Sequence, residues 1–309
     1  MQIAIIGLGS MGPGMAARLA RGGHDVRGQD IASAAIQRAG DLQPMIGAAL
    51  DGLGIEDLGG TVSFGDSLEE AVDNADLVIE NVPEKVEVKA EVYAQLDALI
   101  GPDVLVASDT SGIPITTLQG HISNPERFVG MHWSNPPHII PMIEVIAGES
   151  TAPQTVKAIQ DLIRSLDLLP VTLKRDVPGF VENRVLYALL RECVDLVEQG
   201  VIDPQDLDTC VRWGIGYKLS VVGPMRLLDM AGLDIYQSVA SFLNAELCNQ
   251  ADVSPLVSEA TKTGRLGMKT GGGLFDYTAD ELANLPRERG AKLVAVRRIL
   301  EGRGLEADE

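Results

Sequence analysis

Short strand-like runs recur along the first part of the chain, and most are followed by a segment whose apolar residues have helical spacing. Runs of this length, closed by glycine or polar residues, are typical of buried strands in a parallel sheet. They lie at residues 2–6, 25–30, 62–64, 75–80, 104–108, 128–131 and 169–173, with a further apolar run around Glu144. Strands that alternate with helices predict an α/β domain with a Rossmann-like, doubly wound sheet.

The pattern changes after the segment 176–180, because only helical periodicity follows. Residues 185–197 are apolar on most sides, which predicts a buried helix or a subunit interface. Further helices are predicted at 203–213, 224–230, 234–247, 254–262 and 280–300. We therefore predict a Rossmann-like domain over 1–177 and an all-α C-terminal domain over 178–309. Within the first domain, the glycine and proline breaks in 31–60 predict one or two short helices.

A glycine-rich turn joins the first predicted strand to the first helix. In such a turn the first glycine permits the tight bend, the second lets a pyrophosphate approach the backbone, and the third lets helix and strand pack closely. The N-terminus of the helix adds unpaired N–H groups and a partial positive charge. Because the turn follows a strand and opens a helix, we predict a dinucleotide site. Its residues are Gly7, Leu8, Gly9, Ser10, Met11 and Gly12.

Asp30 ends the second predicted strand, 18 positions after Gly12. A carboxylate at this place accepts hydrogen bonds from the ribose hydroxyls and repels a 2′-phosphate, which favours NAD over NADP. No lysine or arginine follows Asp30 closely. The alternative is that Asp30 only caps the next helix. We predict NAD as the cofactor, with Asp30 among its binding residues.

The chain has 309 residues and a formal net charge of −19. This charge argues against nucleic acid and against an anionic membrane surface as partners. No apolar run reaches the roughly 18 residues of a membrane span, and the N-terminus has no basic leader. The three cysteines, Cys193, Cys210 and Cys248, are far apart and lack metal-binding spacing. We therefore expect a cytoplasmic protein with reduced thiols, without a metal, and with a small-molecule substrate.

His132 follows the apolar run 128–131, and Glu144 lies inside the next run. A histidine at a strand end and a carboxylate on a neighbouring strand can meet in space. The carboxylate then fixes the imidazole tautomer and favours the protonated ring, so the pair can transfer a proton near neutral pH. The alternative is a histidine satisfied in the core and a glutamate at the rim of the sheet. Spacing alone leaves both interpretations open.

Several motifs together resemble the 3-hydroxyacyl-CoA dehydrogenase family over nearly the whole chain. They are the glycine-rich turn, Glu84 with Lys89, Ser108-Asp-Thr-Ser111, His132-x-x-Asn135-Pro136, Glu144-Val-Ile146, Pro178-Gly-Phe180 with Asn183-Arg184, and Gly267-x-Lys269-Thr-Gly271. The resemblance implies His132 as the catalytic base and Glu144 as its partner. It implies that Ser111, Asn135 and Asn183 contact substrate and nicotinamide.

The same resemblance implies that Glu84 and Lys89 lie near the cofactor, and that a homodimer forms through the helical domain. The alternative for Glu84 and Lys89 is a solvated pair at the start of a helix.

The departures from the family concern the substrate. Acyl-CoA members resemble one another in a lysine-rich helical insertion that holds the CoA phosphates, but here Arg38 is the only basic residue between Asp30 and Lys85. Because the many carboxylates in that interval repel a polyanion, we predict that CoA is not bound. For Trp133, which follows His132, two roles are open: stacking on a flat ring or packing in a loop. For His138 they are contact with an anionic group or packing in a loop.

Within the family, segments 108–116 and 131–149 look most similar to dehydrogenases of a small aromatic aldehyde that carries a carboxylate. All three cysteines lie beyond residue 190, so we expect NAD to oxidise the aldehyde as its hydrate, with His132 as the base, rather than through a covalent thiol adduct. The alternatives are a dehydrogenase of a 3-hydroxy acid or 3-hydroxyacyl-CoA, and a non-catalytic NAD-binding protein. Four residues are unranked candidates for the anchor of a substrate carboxylate: His138, Arg184, Lys218 and Arg226.

Overall fold

The computed structural model describes residues 1–302, so positions 303–309 of the predicted second domain lie outside the described residues. The chain divides into two compact units. The first comprises Met1–Asn183 together with Gly290–Arg297, and the second comprises Arg184–Arg289 and, among the described residues, 298–302. No helix within the described residues is both long enough and apolar enough to span a membrane.

The first unit contains one eight-stranded sheet, which confirms the predicted fold class and each predicted strand. Its strands are β1 (Gln2–Ile6), β2 (Asp25–Gln29), β3 (Thr61–Gly65), β4 (Leu77–Glu80), β5 (Leu105–Ser108), β6 (Phe128–Trp133), β7 (Met142–Ile146) and β8 (Leu169–Leu173). The order across the sheet is β3-β2-β1-β4-β5-β6-β7-β8. All neighbours are parallel except β6 and β7.

Helices cover both faces of this sheet. They are α1 (Gly12–Arg21), α2 (Ser33–Gly52), α3 (Leu68–Val72), α4 (Val86–Leu99), α5 (Ile115–Gln119) and α6 (Pro153–Ser165), with a 3₁₀ turn at Pro125–Arg127. Ile3 and Ile5 of β1 pack with α1 and α6, whereas Ala4 and Ile6 pack on the other face. Because both faces are covered, the central strands are apolar at successive positions rather than alternating.

Helix α2 corrects the prediction of one or two short helices in 31–60, since it is a single helix that continues through Pro44. Proline removes one backbone donor from a helix. On one face of α2, however, Ile46 and Leu50 are buried together with Ala17 of α1. This apolar packing compensates for the missing hydrogen bond, and it was not visible in the local sequence.

The chain beyond β8 is helical, as predicted. Its helices are α7 (Glu182–Glu198), α8 (Pro204–Thr209), α9 (Tyr217–Leu219), α10 (Pro224–Ala231), α11 (Leu233–Glu246), α12 (Pro255–Lys262) and α13 (Ala279–Leu300). A π-helix at Cys210–Gly216 joins α8 to α9, and a 3₁₀ turn occupies Met268–Thr270. The expectation of helices alone was incomplete, because Gly272 forms isolated antiparallel bridges with Gly267 and Asp276.

The antiparallel pairing of β6 with β7 places His132 directly opposite Glu144. In an antiparallel pair, residues opposite each other project to the same face of the sheet. Neighbouring residues along a strand project to opposite faces, so Trp133 faces away from His132. The register of this one strand pair therefore determines whether the two predicted catalytic residues can meet.

Candidate active site

His132 and Glu144 form a buried hydrogen bond between β6 and β7. The Nδ1 atom of His132 lies 2.8 Å from Oε2 of Glu144, and the residues are 6% and 1% exposed. The second carboxylate oxygen of Glu144 accepts the backbone N–H groups of Val181 at 2.9 Å and Glu182 at 3.1 Å. With Glu144 held at both oxygens, Nδ1 carries the proton of the neutral ring and Nε2 is left as its basic atom.

The surroundings of His132 favour its charged form. Burial on its own lowers the pKa of this imidazole, but the hydrogen bond to Glu144 and the negative charges of Asp109, Glu144 and Glu182 outweigh burial. The net result is a pKa above the ordinary histidine value. The ring of Phe180, whose centroid lies 5.7 Å from that of the imidazole, contributes an apolar wall. His132 can therefore accept a proton near neutral pH and hold it as a stabilised imidazolium.

Glu144 remains ionised although it is buried. Burial tends to raise the pKa of its carboxyl group, but the hydrogen bond with His132 and the two backbone N–H donors lower the pKa below the usual value. A buried carboxylate with three donors keeps its charge because each donor replaces lost hydration. The pair therefore consists of a fixed anion and a titratable ring.

A third carboxylate, Glu182, lies beside this pair. A ring nitrogen of His132 and one carboxylate oxygen each from Glu144 and Glu182 lie within 4.8 Å of one another. This spacing is compatible with a metal ion. Protein donors already occupy these oxygens, because Ser134 donates its hydroxyl to Glu182 while His132 and two backbone N–H groups bond Glu144. We interpret the cluster as a site that holds and moves a proton rather than as a metal centre.

Ser111 and Asn183 are joined at the end of β5. Asn183 donates its side-chain amide to the carbonyl oxygen of Ser111 at 2.6 Å. Glu84 fixes the same loop through one oxygen, which accepts the Thr110 hydroxyl at 2.6 Å and the N–H groups of Ser111 at 2.9 Å and Gly112 at 3.0 Å. Asn135 follows β6 and is exposed, with a cis peptide bond to Pro136.

Lys89 is not part of a solvated pair, so that alternative was wrong. Its side chain is 1% exposed, and Nζ lies 2.7 Å from Glu80 and 3.5 Å from Glu84. Glu80 also accepts the hydroxyl groups of Tyr93 at 2.6 Å and Ser108 at 2.7 Å. Burial, reinforced by Glu80, raises the pKa of Tyr93 well above its usual value, so the phenol stays protonated as a donor. This network supports the loop that carries Ser111.

Sequence reasoning missed four of the residues in this region: Glu80, Tyr93, Ser108 as a donor, and Asp109. A signal was present, because Glu80 ends an otherwise apolar run and a buried carboxylate requires donors. Its partners come from α4 and β5, so their identity depends on the tertiary fold.

The glycine-rich turn has the shape that a dinucleotide requires. Gly7 has φ of 104°, and a Cβ there would lie 2.4 Å from the carbonyl oxygen of Asn81. A Cβ at Gly12 would lie 2.5 Å from the oxygen of Gly7, whereas one at Gly9 would meet no atom within 4 Å. Open space at Gly9, together with the N-terminus of α1, fits an approaching pyrophosphate. The residues present therefore fit NAD.

Asp30 connects the turn to the end of β2. One carboxylate oxygen accepts the N–H of Leu8 at 2.8 Å, and the other accepts the N–H of Ala32 at 2.9 Å. Ala32 itself is the residue that precedes the first turn of α2, so Asp30 is not the capping residue that the alternative supposed. Arg38 donates to the carbonyl oxygen of Leu8 at 3.3 Å. Asp30 thus fixes the glycine-rich turn as well as marking the expected ribose position.

Two other sequence alternatives are decided by burial. Trp133 is 1% exposed and packs in the core between the sheet, α1 and α6, so the idea that it stacks on a substrate ring was wrong. His138 packs against Gly14 of α1, and burial lowers its pKa to about 4. An imidazole that is neutral at physiological pH cannot attract an anion by charge.

The remaining candidates for the anchor of a substrate carboxylate are exposed: Arg184, Lys218 and Arg226.

Both parts of the chain match profiles of one family. The profile described as "3-hydroxyacyl-CoA dehydrogenase, NAD binding domain" matches residues 2–177. The profile described as "3-hydroxyacyl-CoA dehydrogenase, C-terminal domain" matches residues 179–277. The chain belongs to the 3-hydroxyacyl-CoA dehydrogenase family. Membership confirms the predicted class of NAD-dependent dehydrogenase and the predicted cofactor.

Individual members of the family differ in their similarity to the chain. A 5-formyl-3-hydroxy-2-methylpyridine 4-carboxylate 5-dehydrogenase of Mesorhizobium japonicum is 68% identical over 304 residues, covering 97% of this chain and 98% of that protein. A crystal structure of such a dehydrogenase, described as an NAD+ dependent dismutase, is 68% identical with a TM-score of 0.96, covering 98% of this chain and 99% of the other. A probable 3-hydroxybutyryl-CoA dehydrogenase of Bacillus subtilis is 32% identical over 89% of this chain and 97% of its own length.

The two turn glycines give a matched pair of variants. We expect Gly7→Ala to destabilise the protein by about 1–3 kcal/mol from backbone strain alone, and by more where its methyl group meets Asn81. We expect Gly9→Ala to unfold at nearly the native temperature but to bind NADH about tenfold more weakly, because its methyl group occupies the phosphate approach. Thermal unfolding and fluorescence titration with NADH measure the two effects. Equal behaviour of the two variants would contradict this assignment of the turn.

Proposed function

We propose that this protein is an NAD-dependent dehydrogenase that oxidises 5-formyl-3-hydroxy-2-methylpyridine-4-carboxylate, as its hydrate, to the dicarboxylate. The observation that carries the proposal is His132 held by Glu144 at 2.8 Å in a unit of the chain that contains no cysteine. Thiol-dependent aldehyde oxidation needs a cysteine nucleophile near the reacting carbon. A base acting on a hydrate needs only the imidazole. The similarity to the Mesorhizobium dehydrogenase supports this choice of substrate.

His132 and Glu144 supply the proton chemistry. Nε2 of His132 removes a proton from one hydroxyl group of the hydrate, and loss of hydride from the same carbon leaves a carboxylic acid. Bound NAD supplies the hydride acceptor. Glu144 stabilises the imidazolium and keeps the ring in the required tautomer. We assign Ser111, Asn135 and Asn183 to the positioning of substrate, and Glu84 and Lys89 to the support of the Ser111 loop.

The charge of the first unit supports a small substrate over a CoA thioester. Arg38 is the only basic residue between Asp30 and Lys85, and its guanidinium group already donates to Leu8. Exposed carboxylates populate the same interval, at Asp41, Asp51, Glu56, Asp57, Asp66, Glu69, Glu70 and Asp73. A CoA moiety carries several negative charges, and this surface would repel them.

The same pair also supports a reduction. When His132 is protonated it can donate its proton to the oxygen of an unhydrated aldehyde, and the NADH formed in the oxidation would supply the hydride that gives the alcohol. One molecule of aldehyde would be oxidised while another is reduced, with no net use of cofactor. The solved relative is described as a dismutase, and we propose this activity here as well.

Product analysis with a catalytic amount of NAD tests the proposal. We expect equal amounts of the dicarboxylate and the alcohol from the native enzyme, whereas acid without matching alcohol or NADH would exclude dismutation.

His132→Gln should bind NADH within about twofold of native affinity while turnover falls by roughly 10²–10⁴. Free 3-hydroxy acids and a 3-hydroxyacyl-CoA form the comparison panel. Faster turnover of either would establish the alternative function, and unchanged turnover by His132→Gln would support a base other than His132.

We also propose that the protein forms a homodimer through its helical part. None of the helices from α7 to α12 contains a buried residue. Large apolar side chains are exposed on them, including Tyr187, Leu190, Tyr236 and Phe242. So many exposed apolar side chains on neighbouring helices are rare on monomeric proteins and mark an interaction surface.

The three free cysteines support a reducing, cytoplasmic location for the protein, which cell fractionation tests.

Light scattering during size-exclusion chromatography measures the association. We expect a dimer for the native protein and for Asn244→Glu, which changes an exposed polar residue of α11. We expect Phe242→Glu to shift the protein to monomer or to unfold it, because Phe242 is 63% exposed in the isolated chain and a charge there would be buried in the dimer. A monomeric native protein would contradict the proposal.

A further inference from the structure

Asp109 is a buried carboxylate directly after β5, and the proposed mechanism assigns it no step of its own. It is 7% exposed, and its N–H donates to the carbonyl oxygen of Glu80 at 2.8 Å. Its Oδ1 atom accepts the backbone N–H of Trp133 at 2.8 Å. That N–H belongs to the peptide that follows His132, so Asp109 fixes the backbone from which the catalytic imidazole projects.

Few charged groups act on Asp109. They are Glu80, Lys89 and His132. Lys89 is already paired with Glu80 at 2.7 Å and also contacts the carbonyl oxygen of Val82. Of the two cations, protonated His132 lowers the pKa of Asp109 more than Lys89 does. From the side of His132, the acting charges are Glu144, Asp109 and Glu182, so the ring lies within a group of three carboxylates.

The charge on Asp109 depends on pH in the range where His132 works. Burial raises the pKa of Asp109 to about 7, although the Trp133 N–H and the charge of His132 oppose the increase. A group with this pKa exchanges its proton close to neutrality. When His132 takes a proton from substrate, its new positive charge favours the ionised form of Asp109, and the two groups titrate as a coupled pair.

We propose that Asp109 is a positioning residue of the reaction, which holds the peptide after His132 and presents a second carboxylate that stabilises the imidazolium. This inference rests on the proposed function, since it assigns His132 as the base. Glu144 contacts the ring directly, whereas Asp109 acts through the backbone and through its charge. A variant that removes the negative charge of Asp109 but keeps its hydrogen-bond acceptor should separate the effect of the charge from the effect of the backbone hydrogen bond.

Asp109→Asn is the variant that makes this separation, because its side-chain oxygen can still accept the Trp133 N–H. Asp76→Asn is the matched control, since the exposed Asp76 also accepts one backbone N–H at 2.8 Å, from Gln2, but lies at the opposite edge of the sheet. We expect Asp109→Asn to lower the midpoint of the acidic limb of kcat/KM by about half a unit to one unit. Its kcat should fall roughly tenfold because the base is weaker. Asp76→Asn should alter neither quantity.

Histidine ring NMR provides a readout that does not require a substrate. With the His132 signal assigned by its loss in His132→Gln, we expect its titration midpoint to fall by the same amount in Asp109→Asn. An unchanged midpoint would overturn the proposal even if kcat fell, since that result describes a purely structural residue. If Asp109→Asn does not fold, the titration of the His132 signal in the native protein tests the proposal instead. Coupling to Asp109 predicts that this signal titrates in two steps, and a single step would overturn the proposal. Absence of aldehyde turnover would refute the proposed function but would leave the NMR result intact.

Discussion

The hydrogen bond between His132 and Glu144 is the interaction on which the rest of the site depends. It exists because β6 and β7 are antiparallel and pair in the register that places these two residues opposite each other. A buried carboxylate is tolerated only where donors replace its hydration. The imidazole provides one donor, and the N–H groups of Val181 and Glu182 provide two more. The start of α7 and the residue before it are therefore bonded to the sheet through the same carboxylate that orients the ring of His132, the proposed base.

The same use of a carboxylate recurs along the carboxyl edge of the sheet. Asp30 binds the glycine-rich turn through Leu8, Glu84 binds the Ser111 loop, and Asp109 binds the peptide after His132. Asp30 and Glu84 accept N–H groups of loops, whereas Asp109 accepts the N–H of Trp133, the last residue of β6. The excess of acidic residues is thus partly structural, because these carboxylates hold segments at the ends of the strands in place. It also sets the electrostatic character of the site, which disfavours polyanionic substrates and stabilises an imidazolium.

Much of the fold and part of the site could be predicted from sequence because the signals are local. Strand runs, the spacing of the glycines and the position of His132 after an apolar run are all readable within a few residues. The residues that escaped prediction depend on contacts between distant segments. Lys89 is buried because Glu80 lies on β4, and α2 continues through Pro44 because α1 covers one of its faces. The open alternative for Trp133 depended on where β6 ends, because only a strand that includes Trp133 places it on the opposite face from His132.

The central claim is that Glu144 makes His132 the base, and the pH dependence of kcat/KM for Glu144→Gln tests it most directly. A base works above its pKa, and the carboxylate raises the pKa of His132, so loss of the negative charge should move the acidic limb to lower pH. The amide of the variant would also donate to Nδ1 and favour the wrong tautomer, so kcat should fall by roughly 10²-fold or more. An acidic limb at the native position together with native kcat would contradict the account.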